Sequence, residues 1–175
     1  KALVPIAERP LIEHVIESLQ CQGINDFIVN VHHFAEQVEE YLADRSDFGS
    51  LAISDERDLL RETGGAIKHA EQLFNGNPFI VHNVDIISNV DLYSLLTAHK
   101  ETSLATLLVS ERSTQRYLLF NDDMRLVGWT NVATGEVKSP YKDLDVSKCR
   151  KYAFSGIHII EPRICQLMHD WPEKF

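Results

Sequence analysis

The stretch NPFIVHNVDIISNVDL (residues 77–92) holds an apolar strand signal that stops at an acid. Phe79, Ile80 and Val81 form the short apolar run that fills a parallel sheet, bounded by turn residues. Asp85 follows soon after, a carboxylate that a sheet interior does not accept unpaired. SNVDL then reads as a helix start, with Asp91 as its cap. An acid at that boundary suits the carboxyl end of a parallel strand, because ligands of open α/β sheets bind outside those ends.

Outward from this stretch, strands alternate with helices. RPLIEHVIESLQCQG (residues 9–23) places Leu11, Ile12, Val15, Ile16 and Leu19 on one helical face, with Pro10 at the entry and Gly23 at the exit. DFIVNVH (26–32) reads as a strand, and FAEQVEEYLADR (34–45) as a helix with Phe34, Val38, Tyr41 and Leu42 inward. SLAISDE (50–56) is a strand, and TGGAIKHAEQLF (63–74) a helix with Ala66, Ile67, Ala70, Leu73 and Phe74 inward. DLYSLLTAHK (91–100) is a helix and SLATLLVSE (103–111) a strand. This alternation predicts a largely parallel sheet covered by helices on both faces. After Glu111 the pattern changes: RYLLFNDDMRLVGWTN (116–131) predicts two short strands around an NDDM turn, and KYAFSGIHII (151–160) a later strand. The polar run from Thr130 to Arg150 reads as loop.

A length of 175 residues suits one domain with a real core. The net charge of −9 argues against nucleic acid or an anionic membrane as partner, since those need basic patches. It leaves an anionic small molecule open. No apolar run approaches the roughly 20 residues that span a bilayer, and no signal peptide is visible. Cys21, Cys149 and Cys165 lack metal-ligand spacing and read as thiols of a reducing cytoplasm. The chain starts without Met and ends at WPEKF, so it is expected to be a piece of a longer protein.

RETGGAIKHA (61–70) is the second informative stretch. Two glycines at a helix start let a ligand approach the backbone and its unpaired N–H groups, with Thr63 as cap. Equally, Thr63 and the glycines can serve a tight turn with nothing bound. The stretch matches neither the dinucleotide fingerprint nor the P-loop. The other strand ends bring His32, His33 and the segment 54–66 to the same rim as Asp85. The eight histidines form no zinc pattern, and an isolated carboxylate at a phosphate-binding rim suits Mg²⁺ better.

KALVPIAERPLIEHVI, ETGGAIKHA, FIVHNVDI and YAFSGIHII stand in the order found in sugar-1-phosphate nucleotidyltransferases, which the chain resembles over its whole length. It is most similar to the branch of N-acetylmuramate-1-phosphate uridylyltransferases and mannose-1-phosphate guanylyltransferase-like proteins. The resemblance implies an α/β, Rossmann-like three-layer sandwich with a mainly parallel mixed sheet, of the nucleotide-diphospho-sugar transferase type. It implies transfer of a nucleoside monophosphate from an NTP to a sugar 1-phosphate, with Mg²⁺ and pyrophosphate release. By the same resemblance, Lys1 matches the lysine of P-K-x-L-x-P, which neutralises phosphate charge, and Asp85 the metal-holding aspartate of N-G-D. Thr63, Gly64 and Gly65 match the base-accepting loop, Asn83 the asparagine near sugar or ribose, and Ser155 and Gly156 a segment lining the sugar pocket. Val84 departs from the glycine of N-G-D, and Glu8 and Arg9 from A-G-K-P, with altered local backbone or charge the expected result. The family's G-x-G-T-R-L loop and second metal aspartate would lie outside residues 1–175. The chain as given is therefore expected to be inactive and prone to associate. A catalytically inactive nucleotide-sugar-binding module of the same fold is the alternative.

Overall fold

The computed structural model describes residues 1–174, in two units: Lys1–Thr106 with the segment from Ile159 onward, and Leu107–His158. The first unit opens with a hairpin, β1 (Pro5–Ile6) paired antiparallel to β2 (Arg9–Pro10). Its two-residue loop needs left-handed backbone at both positions, and Ala7 (φ 48°) and Glu8 (φ 69°) supply it. The glutamate that replaces a family glycine thus sits where glycine is the unstrained choice.

The expected first helix is α1 (Leu11–Gln20), with Leu11, Ile12, Val15 and Ile16 buried and Leu19 partly so. Pro10 precedes it with φ −58°, and Gly23 (φ 88°) turns the chain beyond its end. β3 (Asp26–Val31) runs parallel to β4 (Ser50–Asp55), in register from Asp26↔Ser50 to Val31↔Asp55. Between them α2 (Ala35–Ala43) buries Ala35, Val38 and Leu42. Phe34 was expected inward, but it is 71% exposed. It caps α2 in a left-handed conformation (φ 57°), which takes it off the helical face.

The core of this unit gathers Ile12, Ile16, Val31, Ala35, Val38, Leu42 and the fully buried Phe48. Arg45 lies over the Phe48 ring, 3.8 Å from its centroid, and donates to Glu13 Oε2 at 2.8 Å. The Tyr41 hydroxyl also donates to Glu13. Those bonds, Arg45's first, hold the Glu13 carboxyl down at about 2.

α3 (Glu62–His69) is shorter than expected, because the chain tightens into a 3-10 turn at Glu71–Phe74. That break leaves Leu73 exposed, while Phe74 stacks on Phe79 at 3.7 Å. Thr63 is not the cap: Arg61 holds that position, and Thr63 lies inside the first turn. β5 (Phe79–His82) leads to α4 (Leu92–Ala98), and Asp91 caps it as expected by accepting from Tyr93 N at 3.0 Å. β6 (Ala105–Ser110) carries the chain into the second unit.

There β7 (Arg116–Phe120) and β8 (Leu126–Asn131) pair antiparallel across the NDDM turn, where Met124 takes φ 57°. β8 pairs antiparallel with β9 (Glu136–Lys138), and β7 with β10 (Arg150–Ile160). The polar run read as loop therefore contains a strand. β9 escapes sequence reading because all three of its residues are exposed, leaving no apolar alternation. α5 (Arg163–Leu167) follows in the first unit.

Candidate functional site

The site grows from the residues after β5. Val84 packs against the core cluster, which accounts for a large side chain where the family pattern has glycine. Ile86 N donates to Asn83 O at 3.2 Å, closing the turn that follows. Asp85 is left facing outward, its side chain 44% exposed.

Lys1 meets it. Lys1 Nζ lies 3.0 Å from Asp85 Oδ2. The Lys1 hydrogen bond, with its charge adding, holds the Asp85 carboxyl below the ordinary aspartate range. The segment behind Lys1 is anchored. α1 has no side-chain cap, and its first N–H groups donate instead to that segment, Leu11 N to Val4 O and Ile12 N to Ala2 O at 3.0 Å each. Those bonds satisfy donors that a helix start otherwise leaves unpaired. Ala2 and Leu3 also pack on the core.

The ends of β3 and β4 add His32, His33 and the segment 54–66 that the sequence brings to this rim, and within that segment the structure singles out Ser54 and Glu56. Glu56 is fully buried, and its Oε2 accepts from Arg61 N at 3.3 Å. Glu56 Oε1, Ser54 Oγ and His32 Nδ1 are buried without a protein partner among the described residues. The parallel register carries His32 and Glu56 just beyond the paired ends Val31 and Asp55. Glu56 gave the same signal as Asp85, an acid directly after an apolar strand. Asp55 pairs with Arg57, whose hydrogen bonds lower its carboxyl. His33 packs edge-on against His32 at 4.4 Å.

At α3, Thr63 is exposed, Gly64 partly buried and Gly65 buried. The close approach that glycine permits at Gly65 is taken by the chain itself. A Cβ there would stand 2.0 Å from the Glu173 carbonyl oxygen. Nearby, the Arg61 guanidinium pairs with Asp58 at 2.8 Å.

Lys1, Asp85, Asn83, Thr63, Gly64 and Gly65 all belong to the first unit, and Lys1 and Asp85 are in direct contact. Ser155 and Gly156 lie on β10 in the second unit. Ser155 Oγ donates to Ser110 Oγ at 3.4 Å, and Gly156 takes φ 77°. That unit has a cleft of about 630 Å³ lined by Glu111, Tyr117, Val132, Arg150, Lys151 and Tyr152. In the sequence each of these six reads as an ordinary strand or turn residue.

Among the described residues, no group of three or more His, Cys, Asp or Glu side chains is placed to hold a metal. The sequence expectation for a metal rests on the single Asp85 carboxylate, which here pairs with Lys1. That carboxylate suits a hard cation such as Mg²⁺, which takes one or two carboxylates and completes its shell with water and phosphate oxygens.

A family model described as Nucleotidyl transferase matches residues 1–117. The N-acetylmuramate alpha-1-phosphate uridylyltransferase of Caulobacter vibrioides is 32% identical over 177 residues, covering 94% of this chain and 67% of that protein. A mannose-1-phosphate guanyltransferase of Gibberella zeae is 36% identical over 104 residues, 57% of this chain and 28% of that protein. Among solved structures, HddC from Yersinia pseudotuberculosis superposes with a TM-score of 0.78 at 21% identity, over 99% of this chain and 72% of that one. The same protein complexed with GMP-PN gives 0.76. The fold is thus α/β, of the nucleotide-diphospho-sugar transferase type.

Proposed function

The chain belongs to the nucleotidyl transferase family, and from that membership we propose that residues 1–175 form a single nucleotidyltransferase domain acting on an NTP and a sugar 1-phosphate. The observation that carries this reading is the Lys1–Asp85 pair of 3.0 Å beside a strand end. The names of the relatives, which transfer uridylyl and guanylyl groups to sugar 1-phosphates, support it.

The chemistry is an in-line displacement. A sugar-phosphate oxygen forms a bond to the α-phosphorus of the NTP, and the bond from that phosphorus to the bridging oxygen breaks. Pyrophosphate leaves with the electron pair. Two anions must meet, so neutralising and aligning them supplies most of the rate, and no protein nucleophile is needed. The Lys1 ammonium offsets phosphate charge as the oxygens close. Asp85 would hold Mg²⁺, which when bound would supply further charge neutralisation on the phosphates. The turn Thr63–Gly64–Gly65 receives the base at Thr63 and Gly64, while Gly65 lies under Glu173 and shapes the turn behind them; Asn83 sits by the sugar or ribose, and Ser155 and Gly156 line the sugar pocket.

The free thiols of Cys21, Cys149 and Cys165 favour a cytoplasmic setting. The net charge of −9 favours neither nucleic acid nor an anionic membrane as partner. No helix among the described residues is long and apolar enough to cross a membrane.

The test is pyrophosphate release by the full-length protein with Mg²⁺, across the common NTPs and a panel of sugar 1-phosphates. Turnover with at least one pair is the expected result. Nucleotide binding without turnover on any pair would overturn the enzyme reading in favour of a binding module.

A further inference from the structure

Gly65 is buried under the chain's own backbone. A Cβ built there would lie 2.0 Å from Glu173 O and 2.8 Å from Arg61 Cβ. The segment around Glu173 is therefore seated on the first turns of α3. Lys68 holds it there, donating from Nζ to His169 O at 2.9 Å and to Trp171 O at 2.8 Å. Two longer ion pairs accompany it, Arg61–Glu173 at 3.9 Å and Lys174–Glu62 at 3.8 Å. These involve exposed partners and contribute little. The lysine bonds are charge-assisted and roughly twice as strong as neutral ones. Lys68 also lies one turn from Gly65 on α3, so the clamp and the close approach share a helix face.

We infer that Lys68 is a positioning residue for the nucleotide. By clamping the carbonyls of His169 and Trp171 it seats Glu173 against Gly65, and this fixes the backbone of Thr63, Gly64 and Gly65. The inference rests on the nucleotide reading given under the proposed function, which assigns that turn to the base. In this role Lys68 need touch no substrate. Releasing the clamp loosens the base-side turn, whereas the displacement depends on Lys1 and Asp85. The loss therefore falls on nucleotide KM and Kd rather than on kcat.

The experiment compares Lys68→Met, which keeps the aliphatic stem and removes the ammonium, with Lys68→Arg, which keeps a cationic donor. Hydrogen exchange over residues 169–174 without nucleotide reads the seat. Titration of the full-length protein with NTP and with sugar 1-phosphate, and its steady-state kinetics, read the consequence. Lys68→Met is expected to speed exchange in that segment and weaken NTP binding about tenfold, the loss of a charge-assisted contact. Sugar 1-phosphate affinity and kcat should stay within about twofold of the unaltered chain, well below that tenfold effect. Lys68→Arg should recover most of both losses.

Faster exchange with unchanged NTP affinity would overturn the inference, leaving the segment as packing only. Unchanged exchange would overturn it too, since Lys68 would not be the clamp. Equal loss of both substrates would mean general destabilisation and count against it. An unaltered full-length protein that binds no NTP would overturn the nucleotide reading itself, and that outcome shows before any substitution is made.

Discussion

In the first unit β3 and β4 run parallel and in register, whereas in the second β7, β8, β9 and β10 run antiparallel. Parallel strands need a crossover, and here α2 provides it, so both strands deliver their carboxyl ends to one rim. His32 and Glu56 meet the rim that way, and Val84, next to Asp85 in sequence, packs on the same core. Antiparallel strands alternate their ends, so no single rim collects the chemistry. The second unit's cleft is lined instead from strand bodies and turns, by residues such as Tyr117, Arg150 and Tyr152. The lesson is that charged groups gather without a sequence cluster where strands are parallel.

The largest stability effect that sharpens this comparison is expected in the first unit. Phe48 is fully buried under the Arg45 guanidinium, so Phe48→Ala should cost about 3–5 kcal/mol in denaturant unfolding. Leu119, fully buried on β7, is the counterpart in the second unit, and Leu119→Ala should cost about 2–5 kcal/mol.

The units should also respond differently to acid. His158 is buried in the second unit with Nδ1 unpartnered, and burial pushes its pKa down to about 4. The unfolded imidazole binds its proton first, so the stabilisation is complete above pH 6.5 and is lost as pH falls from there toward about 4. A loss on the order of 3 kcal/mol follows from a shift of that size. His158→Gln should flatten this part of the stability–pH curve. Glu13 in the first unit acts lower. Its carboxyl is held at about 2 by Arg45 and Tyr41, so its contribution is present above the ordinary 4.5 and fades as pH falls toward 2. Stability loss between pH 6.5 and 4.5 that Glu13→Gln removes and His158→Gln leaves would reverse the assignment.

The smallest effect belongs to the hairpin. Glu8 holds φ 69° without being glycine, and Glu8→Gly should raise stability by about 1 kcal/mol. A lower melting temperature for that variant would contradict the strain argument.

The parallel part was legible because its signals are local. Leu11, Ile12, Val15 and Ile16 repeat at helical spacing, and Asp91 is a side-chain cap one residue before its helix. Phe34 and Thr63 were misplaced because a helix boundary depends on one residue's φ and ψ, which composition does not set. β9 carries no apolar residue on a buried face, so periodicity had nothing to register. At the site, Asp85 was visible as an acid after an apolar run, but its partner Lys1 lies 84 residues away. The seat of Glu173 on Gly65 is equally non-local, and the two glycines alone read as well for a ligand as for a turn. Ser155 and Gly156 came from resemblance, since the physics of a strand ending marks neither.

In the proposed reaction the Lys1–Asp85 pair at a strand end manages phosphate charge. Asp85→Asn keeps the shape and removes the charge. In the full-length protein, pyrophosphate release followed against Mg²⁺ concentration should fall roughly 100- to 1,000-fold, the scale seen when one group stabilising developing charge is lost. The melting temperature should hardly move, because the side chain is exposed and makes no core contact. A variant with near-normal turnover and an unchanged Mg²⁺ dependence would contradict the claim and leave Asp85 as a turn residue.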